Sequence, residues 1–282
     1  MQDKPKLSVI AGIYFPPDIC FRRFLDACLN QTITNVEFIF LLDSPQDIQS
    51  RNILKEYEHK FKANHNIFIV VSNNTNLGVV NTYLKGCKLS HSDNILIVDS
   101  DDFFDDDLIE KMYNHFIAQK LDFLAPRILM SYLGELDVFY ALNNNDDPTD
   151  TGIMFRKHIL DEYEEFKKYI NYTLISTIQK THYKVDILPL DLGCFYYYTI
   201  TNRSATSSFI LQDKGEVPKS KEYELYKSGV IRFIETFLSN TMNKTIKFED
   251  YTLDELKEMA KIFLDVDNFL DNNLTYEELK TI

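Results

Sequence analysis

Two kinds of apolar run alternate along the first 120 positions. Residues 7–13 (LSVIAGI), 36–42 (VEFIFLL), 67–71 (IFIVV) and 94–98 (NILIV) are short and nearly continuous. Runs of this length predict strands covered on both faces. Between the first two, Phe21, Phe24, Leu25, Cys28 and Leu29 recur at helical spacing, which predicts a helix over 18–30 with Asp18 as its cap. Further helices are expected over about 45–61, 79–89 and 106–119. This alternation predicts a doubly wound, mainly parallel α/β sheet with flanking helices.

After Leu121 the rhythm changes. Residues 122–140 read as two strands, a hairpin, around Leu133-Gly134, and 143–150 (NNNDDPTD) as a polar loop. A short strand over 151–156 leads into helical sequence over about 157–181, then strands over 184–188 and 193–200. From about Ser220 the chain reads as amphipathic helix, with breaks near Asn243 and Asn272. Its apolar positions, among them Leu253, Leu256, Met259, Ile262 and Phe263, form a packing stripe. With only eight glycines and eight prolines in 282 residues, no flexible interdomain linker stands out.

Charge narrows the choice of partner. Thirty basic residues against 43 acidic ones leave a net charge of −13, with no Lys/Arg stripe, so nucleic acid is not an expected partner. An acidic protein can still bind a phosphorylated ligand when a divalent cation lies between them. No apolar run approaches the roughly 20 residues that span a bilayer, and Met1–Lys6 is polar. The expected location is cytoplasmic, at most peripheral at the inner face of the membrane. Cys20, Cys28, Cys87 and Cys194 form no CxxC pair and are expected as free, buried thiols. His59, His65, His91 and His115 lack ligand spacing and are expected to be structural or exposed, while His158 and His182 lie in the half expected to meet the acceptor.

The strongest chemical signal is Val98-Asp99-Ser100-Asp101-Asp102, directly after a buried strand. Open parallel sheets bind ligands outside the carboxyl ends of their strands. Carboxylates at i and i+2 can enter one site where the chain turns, and hard oxygen ligands suit Mg²⁺ or Mn²⁺. Asp105, Asp106 and Asp107 are better explained as acids opening a helix.

The first 105 residues resemble the donor half of the family-2 glycosyltransferases, which have the GT-A fold. The family's Pro-x-Tyr-Asn loop has its counterpart in Gly12-Ile13-Tyr14-Phe15, with glycine for proline and phenylalanine for asparagine. Gln31-Thr32 matches a Gln-Thr pair, Asp43 an Asp that reads the nucleotide base, and Asn76-Leu77-Gly78 an Asn-x-Gly loop. The family's Ala-Arg-Asn is replaced by Thr82-Tyr83-Leu84, although Gly86 matches a later glycine. Asp99-Ser100-Asp101-Asp102 matches Asp-x-Asp-Asp in full. More faintly, Thr151 to Lys157 resembles the acceptor-side strand with its Phe-Arg-Lys. Ile187-Leu188-Pro189-Leu190 and Tyr196-Tyr197-Tyr198 resemble the later strands.

The resemblance implies a domain over 1–215, with donor half 1–105 and acceptor half 106–215, followed by a helical extension over 216–282. It implies a sugar moved from a UDP- or dTDP-sugar to a hydroxyl of a glycan or lipid-linked glycan, with inversion, in bacterial surface polysaccharide synthesis. Donor-binding residues would be Gly12, Tyr14, Asp43, Asn76, Gly78, Asp99 and Ser100, and Asp101 with Asp99 would hold Mn²⁺ or Mg²⁺. The family's catalytic base falls on Asn171, an amide that cannot take a proton at neutral pH. Asp150 and Asp191 are the candidate replacements, with Asp150 ranked first. Thr201-Asn202 stands where the family often has a metal-binding histidine. Two rivals follow: a degenerate nucleotide-sugar binder, and a Mg²⁺-dependent nucleotidyl or phosphoryl transferase. The latter needs a basic phosphate clamp that the sequence does not offer.

Overall fold

The computed structural model describes residues 4–64, 66–133, 139–142, 151–168, 170, 178, 180–189, 192–194 and 196–201. The first hundred residues form β1 (Leu7–Ile13), α1 (Asp18–Asn30), β2 (Val36–Leu42), α2 (Ile48–Ala63), β3 (Ile67–Ser72), α3 (Val79–Leu89) and β4 (Asn94–Asp99). Then come β5 (Phe103–Phe104), α4 (Leu108–Ala118), β6 (Phe123–Ala125), β7 (Ile128–Leu133) and β8 (Phe139–Leu142). The described chain continues with β9 (Met154–Arg156), α5 (Ile159–Glu162), α6 (Glu164–Lys168), β10 (Val185–Ile187) and β11 (Tyr196–Thr201).

The chain divides into two compact units, Met1–Ile128 with Asp146–Tyr197, and Leu129–Asn145 with Tyr198–Ile282. The first holds a seven-stranded sheet in the order β10-β6-β9-β4-β1-β2-β3. Strands β4, β1, β2 and β3 are mutually parallel, as are β10 and β6, while β9 runs antiparallel between the two groups. In the second unit β7 and β8 form an antiparallel pair, with Tyr132 opposite Phe139.

All seven residues of β2 are buried, which explains its unbroken apolar sequence. Its alternate residues serve two different layers. Phe38 and Phe40 meet Phe61 of α2 at ring-centroid distances of 5.1 and 5.6 Å, and Phe24 of α1 meets Phe40 at 6.1 Å. Ile39 and Leu41 face the other way, into a core shared with Tyr83 and Cys87 of α3. The polar exception is Glu37, fully buried near the amino end of β2, which accepts bonds from Ser8 Oγ at 2.5 Å and the His91 backbone N–H at 2.9 Å. The His91 ring also bonds Glu37, and His115 bonds Asp186, so both histidines have structural partners. All four cysteines are buried free thiols.

Several local expectations need correction. Pro17, not Asp18, is the N-cap of α1; Asp18 lies in the first turn, where the helix dipole still favours its charge. The stretch 122–140 contains three strands, because Pro126, which lacks an N–H, separates β6 from β7. The strand expected over 151–156 is confined to 154–156: Gly152 has φ +73, a left-handed turn. Within the described residues the helix expected from Lys157 is broken at Tyr163 into the short α5 and α6, and most of its second half lies outside the described residues. Packing overrides propensity there, since Phe166 is drawn between Phe123 and Phe155, each 5.0 Å away. The loop over 143–150 and the helices expected after Ser220 lie outside the described residues.

The chain runs from β1 to β2 and β3 on one side, then returns to place β4 on the other side of β1. The carboxyl ends of β1 and β4 therefore border a topological switch point, the usual binding crevice of such sheets. Gly12 and Asp99 are register partners there.

Gly86 sets how closely α3 approaches the sheet. An added Cβ would overlap Ile10 Cγ2 and lie 2.9 Å from Leu41 Cδ1. Alanine is the better helix former by about 1 kcal/mol. Even so, Gly86→Ala is expected to lower stability by about 1–3 kcal/mol in urea unfolding, because overpacking outweighs propensity. At Gly12 the nearest atom to an added Cβ is Thr82 Cγ2 at 3.5 Å, so Gly12→Ala should cost less than about 1 kcal/mol. Equal losses in the two variants would contradict this packing.

Candidate active site at the carboxyl end of β4

Asp99 closes β4, and the chain turns at once, with the Asp102 N–H directed at the Asp99 carbonyl at 3.4 Å. Two phenols hold this turn. Tyr83 of α3 donates its hydroxyl to Asp99 Oδ1 at 2.5 Å, and its oxygen lies 3.1 Å from the Val98 carbonyl. Tyr196 of β11 donates to Asp102 Oδ2 at 2.7 Å and accepts the Asp99 N–H at 3.2 Å. The Thr151 hydroxyl lies 2.8 Å from the Tyr196 hydroxyl and, with the Tyr196 proton committed to Asp102, is the donor of that pair. Ser100 and Asp102 are buried.

Burial and crowding in a poor dielectric shift the proton affinity of Asp99 and Asp101. Burial raises the Asp99 carboxyl above its ordinary range, against the opposing pull of the Tyr83 and Thr151 hydroxyls. Burial and the Asp99 charge push Asp101 up to about 7, while its own backbone N–H and the charge of Arg23 pull it down. Arg23, from α1, lays its guanidinium 3.8 Å from the centre of the Phe103 ring. Burial also lifts the Tyr83 and Tyr196 phenols well above their usual range, so both remain protonated donors at neutral pH.

The second group of expected residues meets at the end of β2. Asp43 is 5% exposed. It accepts the Asn73 side-chain amide at 2.7 Å and the backbone N–H groups of Leu77 and Gly78 at 2.8 and 3.0 Å. Asn76 adds a local bond to the Gly78 N–H at 2.7 Å. Gly78 itself has φ +75, a conformation that excludes most side chains. A carboxylate has about four acceptor sites, so Asp43 keeps about one beyond these three bonds.

Tyr14 is 57% exposed and stacks edge-on with Phe15 at 5.0 Å. Phe15 is held at φ +48, its N–H bonded to Asp47 Oδ2 at 2.9 Å. Gln31 and Thr32 brace the far side of the acidic turn. Gln31 donates to the Asp105 carbonyl at 2.8 Å and accepts from the Ile109 N–H at 3.0 Å, capping α4 from a distance.

Sequence reasoning missed Tyr83, Thr151, Arg23 and Tyr196 as partners of the acidic run. Only Tyr83 carried a signal, its departure from the family's Ala-Arg-Asn. Asp150, Asp191 and Asn171 lie outside the described residues, as does Asn202. His158 and His182 are exposed, and His182 stacks on Tyr183 at 4.2 Å.

Among the described residues, no three His, Cys, Asp or Glu side chains converge as a ready-made metal cage. Asp101 nonetheless fits a cation: its carboxyl is raised by burial and then by the neighbouring Asp99 charge, and a cation would relieve the latter. Any cation there would take its remaining ligands from donor phosphates and water, as Mg²⁺ commonly does.

Glycosyl transferase family 2, as a family model, matches residues 20–174, more than half of the chain. The chain belongs to this family. It is 30% identical over 113 residues to the uncharacterized glycosyltransferase MJ1057 of Methanocaldococcus jannaschii, covering 40% of this chain and 38% of that protein. The uncharacterized glycosyltransferase MG025 homolog of Mycoplasma pneumoniae is 24% identical, over 94% of this chain and 92% of its own. Among solved structures, S. aureus TarS in complex with UDP-GlcNAc superposes with a TM-score of 0.51 at 17% identity, covering 96% of this chain and 77% of that one. That likeness confirms the GT-A-like fold.

A pH experiment tests the electrostatics. In the unfolded chain the Asp101 carboxyl ionises near pH 4. In the folded chain it keeps its proton up to about 7. Between these values the folded state binds more protons, so this group's contribution to stability falls as pH rises and levels off above 7. In metal-free buffer, Asp101→Asn should therefore raise the melting temperature at pH 8 by several degrees relative to wild type, with little change at pH 4. A destabilisation of the same size at both pH values would contradict it.

Proposed function

We propose that the chain is a glycosyltransferase that moves a sugar from a UDP- or dTDP-sugar to a hydroxyl of a glycan or lipid-linked glycan, with inversion, in bacterial surface polysaccharide synthesis. The observation that carries this reading is the part-buried carboxylate run at the switch point of a GT-A-like sheet. Membership of a glycosyltransferase family supports the reaction class, and the TarS complex supports a uridine nucleotide donor. The cellular role rests on resemblance alone.

In this reading Asp101, with Asp99, holds Mg²⁺ or Mn²⁺. The bound ion supplies charge neutralisation of the donor diphosphate and of the departing nucleotide. Asp99 accepts from a hydroxyl of the ribose or the donor sugar. Asp43 offers its remaining acceptor site to the base, which suits the imide N–H that uracil and thymine share. Tyr14 and the Gly12 backbone line the base side, with Asn76 and Gly78 closing it and Ser100 within the turn at the phosphates. The proposed organisation is donor half 1–105, acceptor half 106–215 and helical extension 216–282. The proposed location is the cytoplasm, peripheral to the membrane at most; no described helix is long and apolar enough to cross one. The base that deprotonates the acceptor is assigned to Asp150, with Asp191 second.

One observation favours a second reading. Asn171 stands where the family carries its base, as it would in a degenerate binder. Nucleotide release from donor plus acceptor by the purified protein separates the two.

UDP or dTDP should raise the melting temperature by several degrees in Mn²⁺ or Mg²⁺ and not in excess chelator, since only ligands of the folded state stabilise it. Asp101→Asn should abolish the shift while remaining folded. Equal stabilisation in chelator would remove the cation from the account.

A further inference from the structure

We propose that Tyr83 is a positioning residue for the donor: its hydroxyl fixes the Asp99 carboxylate in the orientation that receives a ribose hydroxyl. The inference rests on the nucleotide-sugar reading above.

Tyr83 is 2% exposed and lies on the inner face of α3, against the sheet. Its hydroxyl carries one proton and has two candidate acceptors, Asp99 Oδ1 at 2.5 Å and the Val98 carbonyl at 3.1 Å. The shorter, charge-assisted bond to the carboxylate takes the proton. Asp99 is thus tied to α3 as well as to its own strand. This one neutral donor leaves the charge in place and leaves acceptor capacity for a ligand hydroxyl.

Gly12 borders this arrangement. It is the register partner of Asp99, and a Cβ built on it would lie 3.7 Å from Tyr83 Cζ. The bare backbone at position 12 leaves the tip of the phenol its place, and a side chain longer than a methyl would press on the ring. Gly12 and Tyr83 are both places where the chain departs from the family pattern, proline and arginine respectively. The structure brings the two departures into contact beside Asp99. A phenol delivers a single directed hydrogen bond without cancelling the carboxylate's charge, whereas a guanidinium would add a positive charge beside it. Fixing Asp99 before the donor arrives removes part of the ordering cost of binding.

The test uses the full chain in Mn²⁺, with UDP, 2′-deoxy-UDP and 3′-deoxy-UDP as probes in calorimetry. Wild type is expected to prefer UDP over at least one deoxy analogue by about tenfold, the scale of one hydrogen bond to a charged group. Tyr83→Phe keeps the ring and removes the hydroxyl. It should remain folded, bind UDP about tenfold more weakly, and lose the preference for UDP over that analogue. In an Asp99→Asn background, Tyr83→Phe should have no further effect on affinity. Tyr57→Phe, which removes a phenol–carboxylate bond to Asp26 of 2.9 Å outside the site, should leave all three affinities unchanged.

A Tyr83→Phe variant that weakens all three nucleotides equally, keeps the wild-type preference or fails to fold would overturn the proposal and make Tyr83 a packing residue. Should wild type bind no uridine or thymidine nucleotide, the donor reading fails on its own. The crystal structure of Tyr83→Phe then decides the positioning role: a rotated Asp99 carboxylate supports it, and an unmoved one overturns it.

Discussion

Three carboxylates within four residues, mostly withdrawn from water, repel one another, and the site is organised around containing that repulsion. In an apolar surrounding each charge would seek a proton or a counter-ion. Asp99 is held by the neutral hydroxyl of Tyr83 and Asp102 by that of Tyr196, which Thr151 braces in turn. Arg23 supplies a nearby positive charge, yet Asp101 is still pushed to about 7. The unfavourable charge that remains bears most on Asp101, where, in the proposed reading, a divalent cation would let a diphosphate into a protein of net charge −13.

The fold serves this arrangement by bringing distant segments to one strand end. Strand β4 delivers the acids at the switch point beside β1, and α3 delivers Tyr83 from above Gly12. The turn before β9 delivers Thr151, and β11 delivers Tyr196 almost a hundred residues after Asp102. Gly152, at φ +73, lies so close to Tyr196 that an added Cβ would come within 3.1 Å of its ring. The acidic turn is therefore built jointly by the first hundred residues and by segments that follow fifty to a hundred residues later.

Strands β1, β2 and β4 were legible because they are buried and their runs are almost wholly apolar, and β3 because it keeps an apolar run, although as the edge strand it is only partly buried and not covered on both faces as expected. The acidic run was legible because carboxylates at the end of such a strand have no packing purpose. Its partners were not, since a tyrosine inside an apolar pattern reads as core, and Tyr83 and Tyr196 are core by burial while acting through their hydroxyls. The antiparallel insertion of β9 and the break at Tyr163 also escaped the pattern. Both are set by contacts among Phe123, Phe155 and Phe166, far apart in sequence. Asp43 was legible by position, but its hold on the Leu77 and Gly78 N–H groups emerged only in three dimensions.

The central claim is that Asp101 carries the cation that joins this acidic site to a nucleotide diphosphate. Crystals grown with UDP and Mn²⁺, measured at the manganese absorption edge, test it most directly. The account predicts one anomalous peak within about 2.2 Å of an Asp101 carboxylate oxygen, with the diphosphate on its other side. A nucleotide bound at the end of β4 with no such peak, or a peak away from Asp101, would contradict it.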